Sequence, residues 1–509
     1  FFLNLTQFKR FYFSFRSNMQ LKKQPFIYFI IAYLLLVIYN LNKIPVAWVD
    51  EIMLIDPAFQ LIKQGRFVGT VWPFVGSEQI FLAYLPLSSF IHLIDLSLFP
   101  HTLFFTRLPW LIFLIITSIY LFKYIDFRYS SLPAGILFII CLFIIDEGVS
   151  NAMRSGRVEM PAMAIMAAAF YYALKRKHPF LQALLVSLLF IAHPGVYPIA
   201  IILGIELITR KNTASKRSLF VLIMLAMPLL YLSMANFNFS DIYQQLIEHG
   251  KEHDGHDQVN NIFYQHFIQR FLPSYQYQFW IVVLAVIAHF TCAYTLLVKK
   301  NYRQHIVEIA FLATSIFWFF TLAPFYRYTP ILILLLYLHW PEMSKRLLSF
   351  AGYLRISFRA AKIWQLALMA LFIGYCSLPF FIRNGVAIQQ SAQRNEYDAY
   401  QWINEQIKQT PNEKILIIDE PIAFYYAMQH DNIVYTLPHA VKKYRFGNYD
   451  RVFYLTQRAA PAQADSIAQY MPSGNSNQSS IFKKNIITYQ GMRLYQIQSE
   501  QALQNLYRK

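Results

Sequence analysis

The feature that most constrains this chain is a series of apolar runs nearly free of charge, at residues 26–41, 108–122, 132–145, 160–174, 180–192, 196–208, 219–235, 279–298, 306–323, 330–340 and 363–381. Read as helices, they give about eleven spans, several of them shorter than the ~20 residues a perpendicular crossing needs. Composition agrees with a bilayer as solvent: 56% of residues are hydrophobic, 17% aromatic and only 14% charged. That balance lies outside the soluble range and predicts an α-helical polytopic membrane protein.

The formal net charge of +18 would point to nucleic acid in a soluble protein. Here the basic residues sit in short runs between apolar segments: Lys22 and Lys23, Lys123 and Arg128, residues 175–177, 210–217 and 299–303, and Lys345, Arg346, Arg355, Arg359 and Lys362. Alternating spans place all of them on one side, which the positive-inside rule makes cytoplasmic. The expected partners are therefore membrane lipids and no nucleic acid. An odd number of spans puts the N-terminus inside and the C-terminus outside. Met19 opens a basic prelude to the first apolar run, and no small-residue cleavage site follows it. That run is expected to remain as an anchor, with residues 1–18 dispensable. Cys141, Cys292 and Cys376 are dispersed in apolar runs, with neither a disulfide framework nor metal-ligand spacing.

Three parts follow. Residues 1–25 form a basic cytoplasmic N-terminus. Residues 26–382 form the transmembrane module, with external loops at 43–106, 146–159 and 236–278. Residues 383–509 form a small polar α/β domain, expected in the periplasm. In this last part "NEYDAYQWINEQIKQ" has helical spacing, "KILIID" and "RVFYLT" read as strands, and "NIITYQGMRLYQI" reads as a hairpin turning at Gln490 and Gly491. The first external loop carries an amphipathic stretch, "EQIFLAYLPLSSFIHLI", suited to the membrane surface.

The residues able to do chemistry gather on the external side. Asp50 and Glu51 follow the first span, where they either cap the helix beginning at Ile52 or face a lipid headgroup. Glu78 lies on the same loop. "RSGRVE" sets Arg154, Arg157 and Glu159 before a span, as a helix-end salt bridge, a headgroup contact or part of a site. Arg327 and Tyr328 stand among aromatics at an external helix start, which an interfacial aromatic belt would also explain. His193, beside a proline near an outer span end, reads as a structural histidine or a substrate contact. His249, His253 and His256, with Asp254 and Asp257, offer metal-binding side chains. Gly250 and Gly255 break any helix that would align them, so a polar loop is the simpler reading.

The Asp-Glu pair in the first external loop, the "MRSGRVE" element in the second, the Arg-Tyr element before a late span and the external C-terminal domain resemble lipid-dependent GT-C glycosyltransferases. The nearest branch is the bacterial protein O-mannosyltransferase and aminoarabinose transferase superfamily. The resemblance spans most of 26–382, is sharpest at "DEIMLIDPAFQLIKQGRF" and is weak beyond residue 382. It implies Asp50 as catalytic carboxylate, Glu51 as its neighbour and Glu159 as the second acidic position. It also implies a donor carried on undecaprenyl phosphate. Glu78 matches an acid that the aminoarabinose transferases follow with Lys-Pro-Pro, whereas this chain reads "EQIF". The implied metal chemistry is a divalent ion bridging Asp50, Glu78 and the lipid phosphate.

The chemistry stands without the name. A sugar on a polyprenyl phosphate already carries a leaving group, so transfer needs a base for the incoming hydroxyl and cations for the departing phosphate. Asp50 suits the first role, and Arg154, Arg157, Arg327 and Tyr328 suit the second. The expected acceptor is a periplasmic glycolipid or polysaccharide, ahead of a protein, with inversion at the anomeric carbon. The alternative class is a lipid or glycan transporter or flippase, which should carry ionisable residues near the bilayer midplane. Within the spans only Glu206 and Glu308 qualify.

Overall fold

The computed structural model describes residues 24–42, 47, 49–72, 75, 79–129, 133–210, 213–245, 279–298, 305–321, 329–353, 396–407, 412–419, 421–437, 440, 444, 446–456, 482–489 and 492–497. Its helices, in chain order, are α1 (Gln24–Asn40), α2 (Val49–Gln64), α3 (Leu87–Leu98), α4 (Leu103–Tyr129), α5 (Pro133–Ile145), α6 (Glu147–Arg154), α7 (Glu159–Lys175), α8 (Pro179–Phe190), α9 (Tyr197–Ile208), α10 (Ala214–Met234), α11 (Phe279–Val298), α12 (Ile306–Thr321) and α13 (Thr329–Tyr353). Each apolar run up to 330–340 falls on one of them. The run at 363–381 lies outside the described residues.

Among the described residues, α4 and α10 are long and apolar enough to cross a bilayer unaided, and α5 and α6 meet at 59° as one bent apolar pair. Shorter apolar stretches of 10–17 residues lie in other helices, among them Ile287–Val298 of α11 and Pro330–Met343 of α13. The expected count of eleven rested on shorter runs of this kind, whose length alone does not make a span. Outward faces are greasy: Tyr28 and Leu35 on α1, Ile112 and Ile119 on α4, and Leu222 and Leu229 on α10 are exposed, while Thr117, Gln182 and Ser187 are buried. Aqueous solvent would penalise this arrangement, whereas lipid removes the penalty.

Glu206 and Glu308, the carboxylates singled out within the expected spans, are both paired with an arginine. Glu206 receives Arg210 in a two-pronged contact (Nε–Oε1 2.8 Å, Nη2–Oε2 2.5 Å), with Gln182 donating at 3.1 Å. Glu308 pairs with Arg128 at 2.7 Å, and His339 lies 3.2 Å from the same carboxylate oxygen. Arg128 ends α4 and Arg107 begins it, so the helical rise separates them by about 30 Å, a hydrocarbon thickness. The cytoplasmic-type cations thus stand at one end of α4 and the candidate site at the other.

Beyond α14 (Glu396–Ile407) the chain builds a five-stranded mixed sheet from β1 (Ile415–Asp419), β2 (Ile433–Thr436), β3 (Arg451–Thr456), β4 (Phe482–Tyr489) and β5 (Met492–Ile497), with α15 (Ile422–Ala427) between β1 and β2. The order is β2-β1-β3-β5-β4. β1 runs parallel to β2 and β3, and β5 runs antiparallel to β3 and β4. The expected strands and hairpin are all present, and β2 is an addition. The sheet shares one apolar core with the segment between α1 and α4: Ile52, Phe59, Trp72 and Phe81 pack in a single cluster with Trp402, Ile417, Phe424 and Tyr435.

Candidate functional site

The site is built on α2, whose first turn holds Asp50 and Glu51, where carboxylates favour the positive end of the helix dipole. Pro57 sits inside this helix and lacks the N–H that would serve the Met53 carbonyl. The Trp72 indole N–H donates to that carbonyl instead at 2.8 Å, and the Ser89 hydroxyl donates to the Leu54 carbonyl at 3.0 Å. One turn on, buried Asp56 accepts from the Thr70 N–H (2.5 Å), the Val71 N–H (3.1 Å), the Thr70 hydroxyl (2.8 Å) and the Gln60 amide (2.9 Å). Burial raises the Asp56 pKa, and these donors oppose the rise without cancelling it. The loop after α2 is therefore pinned against the helix that carries the acids.

The adjacent acids have different surroundings. Glu51 is buried and meets Arg107 through two parallel bonds (Nε–Oε1 2.7 Å, Nη2–Oε2 2.8 Å). Arg107 also donates from Nη1 to the Leu41 carbonyl at 2.9 Å, tying the end of α1 to α4. Both ion-pair side chains are fully shielded, so Glu51 holds three elements together at the mouth of the site. Asp50, by contrast, keeps 35% of its side chain exposed and lies 3.5 Å from Arg157 Nη1.

Arg157 is positioned by a helix ending. Asp146 caps α6 by accepting from Gly148 and Val149 N–H at 3.0 and 3.3 Å. At the other end Gly156 takes φ +62°, and the Arg157 N–H reaches back to the Ala152 carbonyl at 3.0 Å. This is a Schellman closure, which needs a residue tolerant of positive φ at Gly156. A Cβ there would also lie 3.4 Å from Glu51 Cγ and Oε1.

From that turn Arg157 forks onto buried Glu159 at the start of α7 (Nη2–Oε1 2.7 Å, Nε–Oε2 3.1 Å), and the Trp110 indole donates to the Arg157 carbonyl at 2.5 Å. Burial works against the charge of Arg157, but Glu159, Asp50 and Tyr84 outweigh it and raise its pKa.

His193, at the turn between α8 and α9, stands within electrostatic reach of Glu159 and Arg157. Burial lowers its pKa to about 4 against the pull of Glu159. Its Nδ1 accepts the Gly195 N–H at 2.9 Å, so the neutral ring carries its proton on Nε2. Arg154 is buried one turn before Arg157, within reach of Tyr33 and Arg107.

Asp50, Glu51, Arg154, Arg157, Glu159 and His193 therefore converge at one end of the bundle. Glu78, His256, Arg327 and Tyr328 lie outside the described residues, as do His249 and His253. Sequence reasoning missed Arg107, Asp56 and Tyr84. Arg107 had a signal, a single cation heading an apolar run in "FFTRLPW", and Asp56 sat unremarked inside the best-matched stretch.

Among the described residues no three His, Cys, Asp or Glu side chains converge to hold a metal ion. Glu51 and Glu159 already have guanidinium partners, which leaves Asp50 as the carboxylate with a substantial open face. Chemically, the arrangement offers a half-shielded base oriented by a fixed cation, with two further buried arginines close by.

No protein-family model matches the chain, and no curated protein matches it. Two solved structures share its fold. The crystal structure of ArnT from Cupriavidus metallidurans bound to undecaprenyl phosphate aligns with a TM-score of 0.54 at 12% identity, covering 94% of this chain and 99% of that one. The apo form of ArnT aligns with a TM-score of 0.55 at 12% identity, covering 92% and 97%. At this identity the likeness is one of fold: the chain has the architecture of ArnT.

Proposed function

We propose that the protein is a multi-pass membrane glycosyltransferase that moves one sugar from a polyprenyl-phosphate donor to an acceptor on the outer face of the membrane, with Asp50 as the base. The observation that carries this reading is the accessible Asp50 beside Arg157, next to a buried network of ion pairs, in a chain with the fold of a protein crystallised with undecaprenyl phosphate.

In this reaction the acceptor hydroxyl attacks the anomeric carbon while Asp50 takes its proton. The bond from that carbon to the phosphate oxygen breaks, and the phosphate leaves with the electron pair. Attack opposite the leaving group inverts the centre. Arg157 orients Asp50, and Glu159 fixes Arg157. Arg154, Arg327 and Tyr328 are assigned to the departing phosphate, since guanidinium and phenol donors match its oxygens. A divalent ion, if held by Asp50 and Glu78, would supply further charge for the phosphate. The acceptor is assigned as a glycolipid or polysaccharide, and the bundle end bearing Asp50 as periplasmic in a bacterial inner membrane.

Purified full-length protein incubated with radiolabelled polyprenyl-phosphate sugars tests the reading. Consumption of one lipid-linked sugar by wild type but not by Asp50→Asn is expected. Consumption of none across the panel in active membranes overturns it.

A further inference from the structure

At the far end of α2 from Asp50, the segment after α1 and the C-terminal sheet line an open cavity of about 270 Å³ whose Lys63 and Gln64 are exposed. Its back wall is aromatic. Phe424 meets Tyr435 edge-on with ring centroids 5.6 Å apart and meets Phe59 of α2 at 6.2 Å. Two further lining residues, Tyr444 and Tyr449, place their rings 6.5 Å apart, and the Tyr444 hydroxyl donates to the Thr70 carbonyl at 3.3 Å.

The α2 side is polar and ordered by Asp56. The Gln60 amide donates to Asp56, and the Gln64 amide donates in turn to Gln60 Oε1 at 2.8 Å. This chain fixes which end of each amide is which. Gln64 Oε1 ends the series and has no hydrogen-bond partner among the described residues. Among the described residues Lys63 is the one charged residue in the lining, its ammonium 5.6 Å from the Phe59 ring centre.

Rings with hydroxyl edges, ordered amides and a single charge select a ligand with apolar faces and a hydroxyl rim. A pyranose has that pattern of C–H faces and equatorial hydroxyls. A polyanion would call for more cations than the described lining offers, and an acyl chain for a wall without amides. The volume falls just below the roughly 300–1,000 Å³ of pockets for drug-sized ligands, which suits one or two sugar rings. The helical rise puts Gln64 about 20 Å from Asp50 along α2, so the cavity is not the reaction centre.

We propose that this cavity is a second, non-catalytic saccharide site that holds a sugar unit of the acceptor glycan remote from the bond being formed. The assignment of its occupant to the acceptor rests on the sugar-transfer reading above, whereas the binding itself does not.

The test uses the full-length protein in detergent on an array of short, defined bacterial lipopolysaccharide-core and capsular oligosaccharides. The expected result is binding by wild type, retained in Asp50→Asn and weakened about tenfold in both Gln64→Ala and Tyr449→Ala. In unmodified protein, the saccharide that binds should slow hydrogen exchange in 59–64 and 424–435, which locates the site even if a variant fails to fold. Absence of array binding by protein that consumes lipid-linked sugar overturns the proposal, as does protection confined to other segments. Array binding with this protection, in protein that consumes no lipid-linked sugar, upholds the saccharide site and overturns the transfer reading alone.

Discussion

Two neighbouring carboxylates at the start of α2 have opposite roles, and burial decides which. Glu51 is shielded with Arg107, so removing its charge strands a buried guanidinium, at a cost of about 3–5 kcal/mol. Glu51→Gln is therefore expected to lower the thermal midpoint of purified protein sharply, while Asp50→Asn, half-exposed, leaves it near wild type. Gly156→Ala should also destabilise, by about 1 kcal/mol or more, because its positive φ and its nearness to Glu51 both resist a Cβ. The sequence made the Asp-Glu pair visible and the helix dipole explained it as a cap. Nothing local distinguished the two residues, because Arg107 lies 56 positions from Glu51. The Ser-Gly step before Arg157 carried a signal that the reading of 146–159 as a loop passed over, since glycine after a polar helix end marks this closure. Glu159 was also marked in advance by standing at the head of an apolar run.

At the scale of elements, a proline fault in α2 becomes a fastening point. Trp72→Phe keeps an aromatic ring in the core but removes the N–H that serves the Met53 carbonyl, so a loss of about 1–3 kcal/mol is expected in chemical or thermal unfolding. Helix α3 gives a pH test. The Asp95 carboxyl is buried without a hydrogen-bond partner among the described residues, and burial raises its pKa to about 7. That value lies above the ordinary aspartate range, so the folded state keeps a proton that the unfolded chain releases. Its contribution is full at acid pH and is lost as pH rises through about 7. Wild type should lose stability relative to Asp95→Asn from about pH 4 to about pH 7, with the difference level above that. Neighbouring His92, lowered to about 3 by burial, works the other way, since the unfolded imidazole binds a proton below about pH 6.5 that the folded ring does not; the comparison with Asp95→Asn isolates Asp95 from it. Helices were read well from apolar runs, and β1, β3 and the hairpin from alternation. The short β2, "IVYT", escaped because four residues give too little periodicity and its pairing partner is β1.

At the scale of the molecule, charge is sorted to the two ends of the bundle and the apolar surface lies between them. Glu206 and Glu308, which alone kept a transporter in contention from sequence, are each tied to an arginine. The shared core of α2 and the sheet was not legible, because polar composition after residue 383 suggested a separate covering domain. It follows from long-range packing of Phe59 and Trp72 with Phe424 and Tyr435, which no local pattern announces.

The central claim is that Asp50, and not its neighbour, removes the acceptor proton. The most direct measurement is the initial rate of transfer from the radiolabelled polyprenyl-phosphate sugar that wild type consumes, compared in wild type and Asp50→Asn at matched thermal stability. The account predicts a fall of about 10²–10⁴-fold in kcat. An Asp50→Asn protein that turns over at the wild-type rate would contradict it.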